Sequence, residues 1–373
     1  MTSLGRMSRG RLSVGVAIIV AALAVAMIGF SVWELRADAV AIATGHVSDM
    51  ATILADDVED AANTIDLSLR EAVEIASAAT QGGPITDQNA EIIEGSLTSH
   101  RFAVGRADLI AVADAGGKIV AATYDRIDPS ASIADREFFT RLRDDSSVGL
   151  LVSRPLVARS TGAWTIVFSR RIAAADGRFL GIAFIGVEPA KLFRTHPEMT
   201  GRGAVSFSLF HHDGTIAMRE PDGDRWVGTR IARDAKWWDV VARGGGLFWS
   251  PGVLDGYAKY VAVRPVAGYP LVVNVAVTEQ AALAPWRNRA TTIVGGGVIG
   301  IALIFGLLFL QLRLTDRLAR SRIRDWMRGK RLAASESELL NTRNRLGLIL
   351  DHISQGMAMF DANEKLVFSN RCF

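Results

Sequence analysis

Two long uncharged apolar runs constrain this chain more than any other feature. Leu12 to Trp33 is 22 residues without a charge, and Ala290 to Leu312 is 23. At about 1.5 Å of helix rise per residue, each is long enough for a hydrocarbon core of about 30 Å. Residues 34–289 between them mix polar and apolar side chains and read as a folded domain tied to a membrane at both ends. The first run exceeds the apolar stretch of about 7–15 residues found in a secretory leader, so it reads as a retained span rather than a cleaved signal.

The flanks predict orientation. Arg6, Arg9 and Arg11 precede the first run with no acid among them. Arg313, Arg317, Arg320, Arg322, Arg324, Arg328, Lys330 and Arg331 follow the second, against Asp316 and Asp325. Residues 34–60 carry seven acids and one base. Basic flanks stay in the cytoplasm. The expected layout is a cytoplasmic N-terminus at 1–11, a first span at 12–33, an outer domain at 34–289, a second span at 290–312, a cytoplasmic helix at 313–349 and a further domain beginning at 350–373.

The hydrophobic fraction of 49% and mean hydropathy of +0.22 follow from the two runs. The net charge is +3, and the excess base sits at the cytoplasmic membrane edge. That placement points to anionic membrane lipid. No basic face with interleaved aromatics occurs in the outer domain, so nucleic acid is not an expected partner. The single cysteine, Cys372, lies outside residues 34–289, which must therefore fold without a disulfide.

Inside the outer domain, Ile42, Met50, Ile53, Leu54, Val58, Ile65, Leu69, Val73 and Ile75 recur at helical spacing before the first proline, Pro84. This predicts one helix of about 45 residues continuing from the first span. After Gly82-Gly83-Pro84 the pattern turns to strands. A hairpin is expected over Ala107–Thr123, a helix over Asp135–Asp144, and strands over Gly149–Ala158, Ala163–Ala173 and Phe179–Glu188. The same order then repeats: a hairpin about His212-Asp213-Gly214, a helix at Asp234–Arg243, and strands at Gly246–Ser250, Gly256–Arg264 and Pro270–Val277. The fold class is α+β: a long N-terminal helix and two antiparallel modules, at about 85–195 and 200–280.

This arrangement resembles the double Cache family of bacterial receptor domains, whose modules are PAS-like. Asp135-Arg136-Glu137-Phe138-Phe139, Ser153-Arg154-Pro155, Thr161-Gly162-Ala163-Trp164, Phe168-Ser169-Arg170 and Asp176-Gly177-Arg178-Phe179-Leu180-Gly181 are similar to the motif run of the membrane-distal module. The resemblance implies a two-pass protein of a bacterial inner membrane, with both termini cytoplasmic and a periplasmic domain that binds a small solute.

The resemblance also implies that Arg136 faces the ligand. A guanidinium can hold a carboxylate through two parallel hydrogen bonds, so the expected ligand is an organic acid or amino acid. The alternative is a surface ion pair of Arg136 with Asp135 or Glu137. Phe139 and Trp164 are candidate pocket walls, with ordinary core packing as their alternative. Tyr124, Arg154, Ser169 and Arg170 complete the candidates. Strand alternation puts Trp164, Ile166, Phe168 and Arg170 on one face and Ser169 on the other, so Arg170 and Ser169 cannot share a pocket. The aromatics of the second module, Trp226, Trp237, Trp238, Trp249, Tyr257 and Tyr260, read as core and signal coupling. No catalytic motif of a hydrolase, metalloprotease or nucleotide-binding loop is present. No enzyme activity, metal or cofactor is expected. Adjacent residues such as His211 and His212 on a strand point opposite ways and make a poor metal site.

Beyond the second span, Leu332, Leu339, Leu346 and Ile353 are seven residues apart, the spacing of a parallel helix pair in a homodimer. A single solvated helix is the alternative. Leu350 to Asn370 then resembles the opening of a PAS domain, through Ser354-Gln355-Gly356, Phe360-Asp361 and Asn370, and the chain stops within that domain. Receptors with this beginning most resemble diguanylate cyclase or phosphodiesterase proteins, then sensor histidine kinases. A membrane-anchored solute-binding protein without output is the alternative from another class.

Overall fold

The structure is a computed structural model, and it describes residues 4–100, 109–123, 132–193, 204–252, 255–351, 355–356 and 358–369. The chain divides into two compact units: Ser31–Thr291, and Met1–Phe30 with Thr292–Phe373.

Helix α1 runs over Leu4–Thr80 without interruption. It ends where Gln81 and Gly82 take positive φ and the Gly83 N–H closes on the Thr80 carbonyl. Its buried stripe is Val47, Ala51, Leu54, Ala55, Val58, Ala61, Ala62, Ile65, Leu69, Ala72 and Ala76. Steps of three and four keep these on one face, and the alanines let the sheets approach the helix closely. Ile42 and Ile53, expected in the stripe, are exposed at 60% and 57%. The alanines occupy the intervening face instead. A second helix, α2 (Asp87–His100), follows Pro84 and was not expected from the pattern.

The first module pairs β1 (Leu109–Asp114), β2 (Ile119–Ala122), β3 (Leu150–Val152), β4 (Leu156–Val157), β5 (Trp164–Ala173) and β6 (Phe179–Val187). The order is β2-β1-β6-β5-β3, with β4 also on β5, and every pairing is antiparallel. Helix α3 (Glu137–Asp144) lies on one face of this sheet. The expected single strand at Gly149–Ala158 is split at Ser153-Arg154-Pro155. Pro155 has no N–H for the ladder, and Ser153 Oγ accepts the Val167 N–H at the break.

The second module contains β7 (Val205–His211), β8 (Ile216–Glu220), α4 (Gly223–Trp226), α5 (Trp237–Ala242), β9 (Gly246–Ser250), β10 (Lys259–Pro265) and β11 (Leu271–Thr278). Its order, β8-β7-β11-β10-β9, repeats that of the first. His211 ends β7, so His212 lies in the turn and the two rings sit 4.7 Å apart rather than on opposite faces.

Alternation sorts each sheet's side chains between two layers. Ile166, Phe168 and Ile172 pack toward α1, in one core that also holds Leu209, Val273 and Val275 of the second sheet. Val167, Ile182 and Phe184 pack under α3, whereas Val261, Val263 and Val272 pack under α5. Helix α1 is therefore a spine shared by both modules. Tyr269 of the second donates to Asn63 Oδ1 at 2.8 Å.

A short α6 (Glu279–Ala282) leads into α7 (Ala284–Asp351). At the foot of the first-named unit, Trp286 Nε1 donates to the Val32 carbonyl at 2.8 Å. Two helical segments, within Val14–Thr80 and Ala284–Thr315, are long and apolar enough to cross a membrane. Their apolar side chains, including Leu23, Met27, Leu303 and Leu307, are exposed. Strands β12 (Ala358–Phe360) and β13 (Leu366–Ser369) then form a hairpin whose turn is held by Asp361 Oδ1. Ile353 and Asn370 lie outside the described residues.

Candidate ligand-binding site

Arg136 stands at the N-terminal boundary of α3, where its carbonyl accepts the Phe139 and Thr140 N–H groups. Phe138, Phe139 and Leu142 anchor that helix on the sheet. The guanidinium is half-buried, and its Nη2 donates to the Val157 carbonyl at 3.2 Å. The acids on either side of Arg136 in sequence are both engaged elsewhere. Asp135 takes two bonds from Arg159, at 3.0 and 2.5 Å, and Arg159 also donates to the Ser132 carbonyl at 2.6 Å. Glu137 pairs with Arg154 at 3.6 Å. Among the described residues, Arg136 has no carboxylate partner.

The surroundings disfavour the charge of Arg136. Burial lowers its pKa, Arg159 lowers it further, and Asp135 opposes the shift. An anion docking against the guanidinium would offset these contributions by direct attraction.

The other candidates separate into distinct places. Phe139 of α3 is fully buried against the sheet, edge-on to Phe179 at 5.7 Å. Ser169, on the same side of the sheet, is also fully buried, and its Oγ donates to the Leu151 carbonyl at 3.4 Å. Arg170 is on the opposite face, where Nε and Nη2 bind Asp66 of α1 at 2.5 and 2.9 Å. Arg154 bridges the modules, joining Glu137 to Asp213 of the β7–β8 turn at 2.6 Å. Trp164 also reaches the second module, with its ring edge against Gly228. Tyr124 lies outside the described residues. Arg136, Phe139 and Ser169 thus share the α3 side, while Trp164, Arg154 and Arg170 connect the first module to its neighbours.

Asp66 and Asp213 receive these long-range arginines, and neither stands out in the sequence. Burial opposes ionisation of Asp66, yet hydrogen bonds from Arg170 and Arg70 hold its pKa below the ordinary range. Burial likewise opposes ionisation of Asp213, but bonds from Thr215 and His211 depress its pKa strongly. An acid on the buried stripe of α1 was the one available signal for Asp66.

The family model for the Cache domain (dCache_1) matches residues 32–286, and the chain belongs to that family. Among solved structures, the extracellular domain of rpHK1S-Z16, designated a histidine kinase, is 25% identical with a TM-score of 0.54, covering 66% of this chain and 98% of that one. The ligand-binding domain of the Pseudomonas fluorescens chemoreceptor CtaA, in complex with L-alanine, is 17% identical with a TM-score of 0.47, covering 65% and 99%. That of the Pseudomonas aeruginosa PAO1 amino acid chemoreceptor PctC, in complex with GABA, is 18% identical with a TM-score of 0.46, covering 63% and 99%. Among curated proteins, none matches the chain.

Proposed function

We propose that this chain is the sensing part of a bacterial inner-membrane receptor. Its periplasmic Cache domain binds a small organic acid or amino acid at Arg136, and its two spans pass the signal to a cytoplasmic PAS domain and output module. Family membership supports the sensing role. The observation that carries the site is the half-buried Arg136 guanidinium, whose neighbouring acids are both bound to other arginines. A ligand carboxylate would complete it with a charge-assisted, two-point contact. The exposed apolar helices support the two-pass layout. The exposed leucines of the 332–346 heptad support a homodimer paired along α7.

The output in this reading is cyclic-di-GMP turnover. A histidine kinase is the second reading, favoured by the likeness to the extracellular domain of rpHK1S-Z16. The chain itself acts as a binding and relay protein and not as an enzyme.

Thermal-shift screening of the full chain in detergent, against amino acids and small organic acids, tests the site. Arg136→Ala, compared in an Ala276→Phe background so that only the first module is read, should weaken a hit by about 30- to 1,000-fold and leave the unliganded melting point nearly unchanged. A variant that binds normally, or that unfolds, would make Arg136 structural.

A further inference from the structure

The second module holds a cavity of about 420 Å³ between its sheet and α5. Its floor is polar in a place where strand alternation would put apolar side chains. Ser206 and Ser208 of β7, Arg219 of β8, Lys259 of β10 and Asn274 of β11 all line it, and all are buried. Phe210, Trp237, Phe248 and Trp249 form an aromatic wall. Trp237 is fixed by its Nε1 bond to Asn274 Oδ1 at 3.2 Å and by its tilted contact with Phe210 at 5.4 Å.

The charges on this floor do not balance. Asp255 Oδ2 accepts from Arg219 Nη2 at 2.7 Å and from Lys259 Nζ at 2.5 Å. The two cations therefore share one carboxylate. Arg219 is only 8% exposed, and its buried Nε has no hydrogen-bond partner among the described residues. A buried guanidinium with an unsatisfied donor beside an open cavity is an incomplete arrangement. Its Nε is closed off from the open space, but one further negative charge in the cavity would balance the second of the two cations that share Asp255.

We propose that this cavity is a second ligand site, which takes a small organic monocarboxylate with an aromatic or branched apolar body. Its carboxylate binds at Arg219 and Lys259, supported by the Ser206 and Ser208 hydroxyls, and its body packs against Trp237 and Phe248. The cavity falls within the size range of small-molecule sites and has their usual character, mostly apolar with a few convergent polar groups. The inference is independent of Arg136, which lies in the first module.

Equilibrium dialysis of radiolabelled phenylacetate and isovalerate against the full chain in lipid nanodiscs tests it. The measurement is made in the Arg136→Ala background, so that the first site does not contribute. At least one acid should bind saturably at one per chain, and its uncharged amide should not. Adding Arg219→Met should weaken binding by at least about 30-fold. This variant leaves Asp255 paired with Lys259. Ala276→Phe, which fills the cavity without changing charge, should abolish binding and decides the matter if Arg219→Met does not fold. Failure of both acids to bind in the Arg136→Ala background overturns the proposal. So does equal binding of acid and amide, binding that survives Ala276→Phe, or binding of inorganic phosphate in place of the organic acids.

Discussion

Arg170 of β5 meets Asp66 of α1 in a two-point ion pair, Nε to Oδ1 at 2.5 Å and Nη2 to Oδ2 at 2.9 Å, across a sequence separation of 104 residues. One turn earlier on the same helix, Asn63 receives Tyr269 of the second module. The shared spine is thus held by both modules within one turn. A shift of the first sheet reaches α1 through this pair as well as through apolar packing.

The Asp66 carboxylate is largely buried, so Asp66→Asn leaves the Arg170 charge without its counter-ion. The expected cost is about 3 kcal/mol, or about 6–12 °C in Tm for a domain of this size. Hydrogen bonds from Arg170 and Arg70 hold the folded-state pKa below the ordinary aspartate value of 3.8. The carboxylate's contribution is therefore fully present above that value and lost as pH falls through the folded pKa. Melting curves at pH 7 and in steps below pH 4 should show a steeper acid loss in the wild type than in Asp66→Asn. Parallel curves would show that the pair contributes nothing.

Gly228 has φ of +82°, and a Cβ there would come within 2.8 Å of the Trp164 ring. Gly228→Ala should cost about 1–2 kcal/mol from backbone strain and this clash together. In the background of Trp164→Ala only the strain remains. The two losses should therefore sum to more than the double variant shows, by about 1 kcal/mol. Simple additivity in denaturant titrations would mean that the ring moves aside without cost.

The proposed topology, drawn from the charge asymmetry about the two apolar runs, has residues 34–289 outside the cytoplasm. Alkaline phosphatase fused after Gly223 should be active, and β-galactosidase fused there should not. The reverse pattern would invert the topology.

Leu339 is 69% exposed on α7. If α7 pairs along its heptad, Leu339→Cys in a Cys372→Ser background should form a disulfide-linked dimer in membranes on mild oxidation. Substitution on the far side of the helix, at Ser337, should not. Equal crosslinking at the two positions would argue against a defined seam.

Helix α1 is legible in the sequence because a one-sided apolar stripe without proline has few other solutions. Its exact stripe is less so, because alanine carries little hydropathy signal and the alanines line the contact. The repeated strand order is legible through its turns, such as Asp176-Gly177 and Asp213-Gly214. The break at Pro155 shows how one residue without an N–H divides a ladder that the apolar pattern alone would continue. The site was harder to read. Arg136, Arg154 and Arg170 look alike as motif arginines, and only the fold separates one without a carboxylate partner among the described residues from two that bind Asp213 and Asp66. The polar floor of the second module did leave a trace, an asparagine inside Leu271-Val272-Val273-Asn274-Val275-Ala276-Val277. Three of the contacts that assemble it span 36 to 53 residues along the chain, beyond the reach of local patterns.

The bond between Trp286 and Val32 brings the entry and exit of the sensing unit to a single point. A domain whose two ends meet can be inserted between the halves of another helix pair without stretching either. Sensing units built this way are interchangeable parts. Replacing residues 32–286 as one block should give a chimeric chain a new stimulus while its remaining segments keep their own spacing.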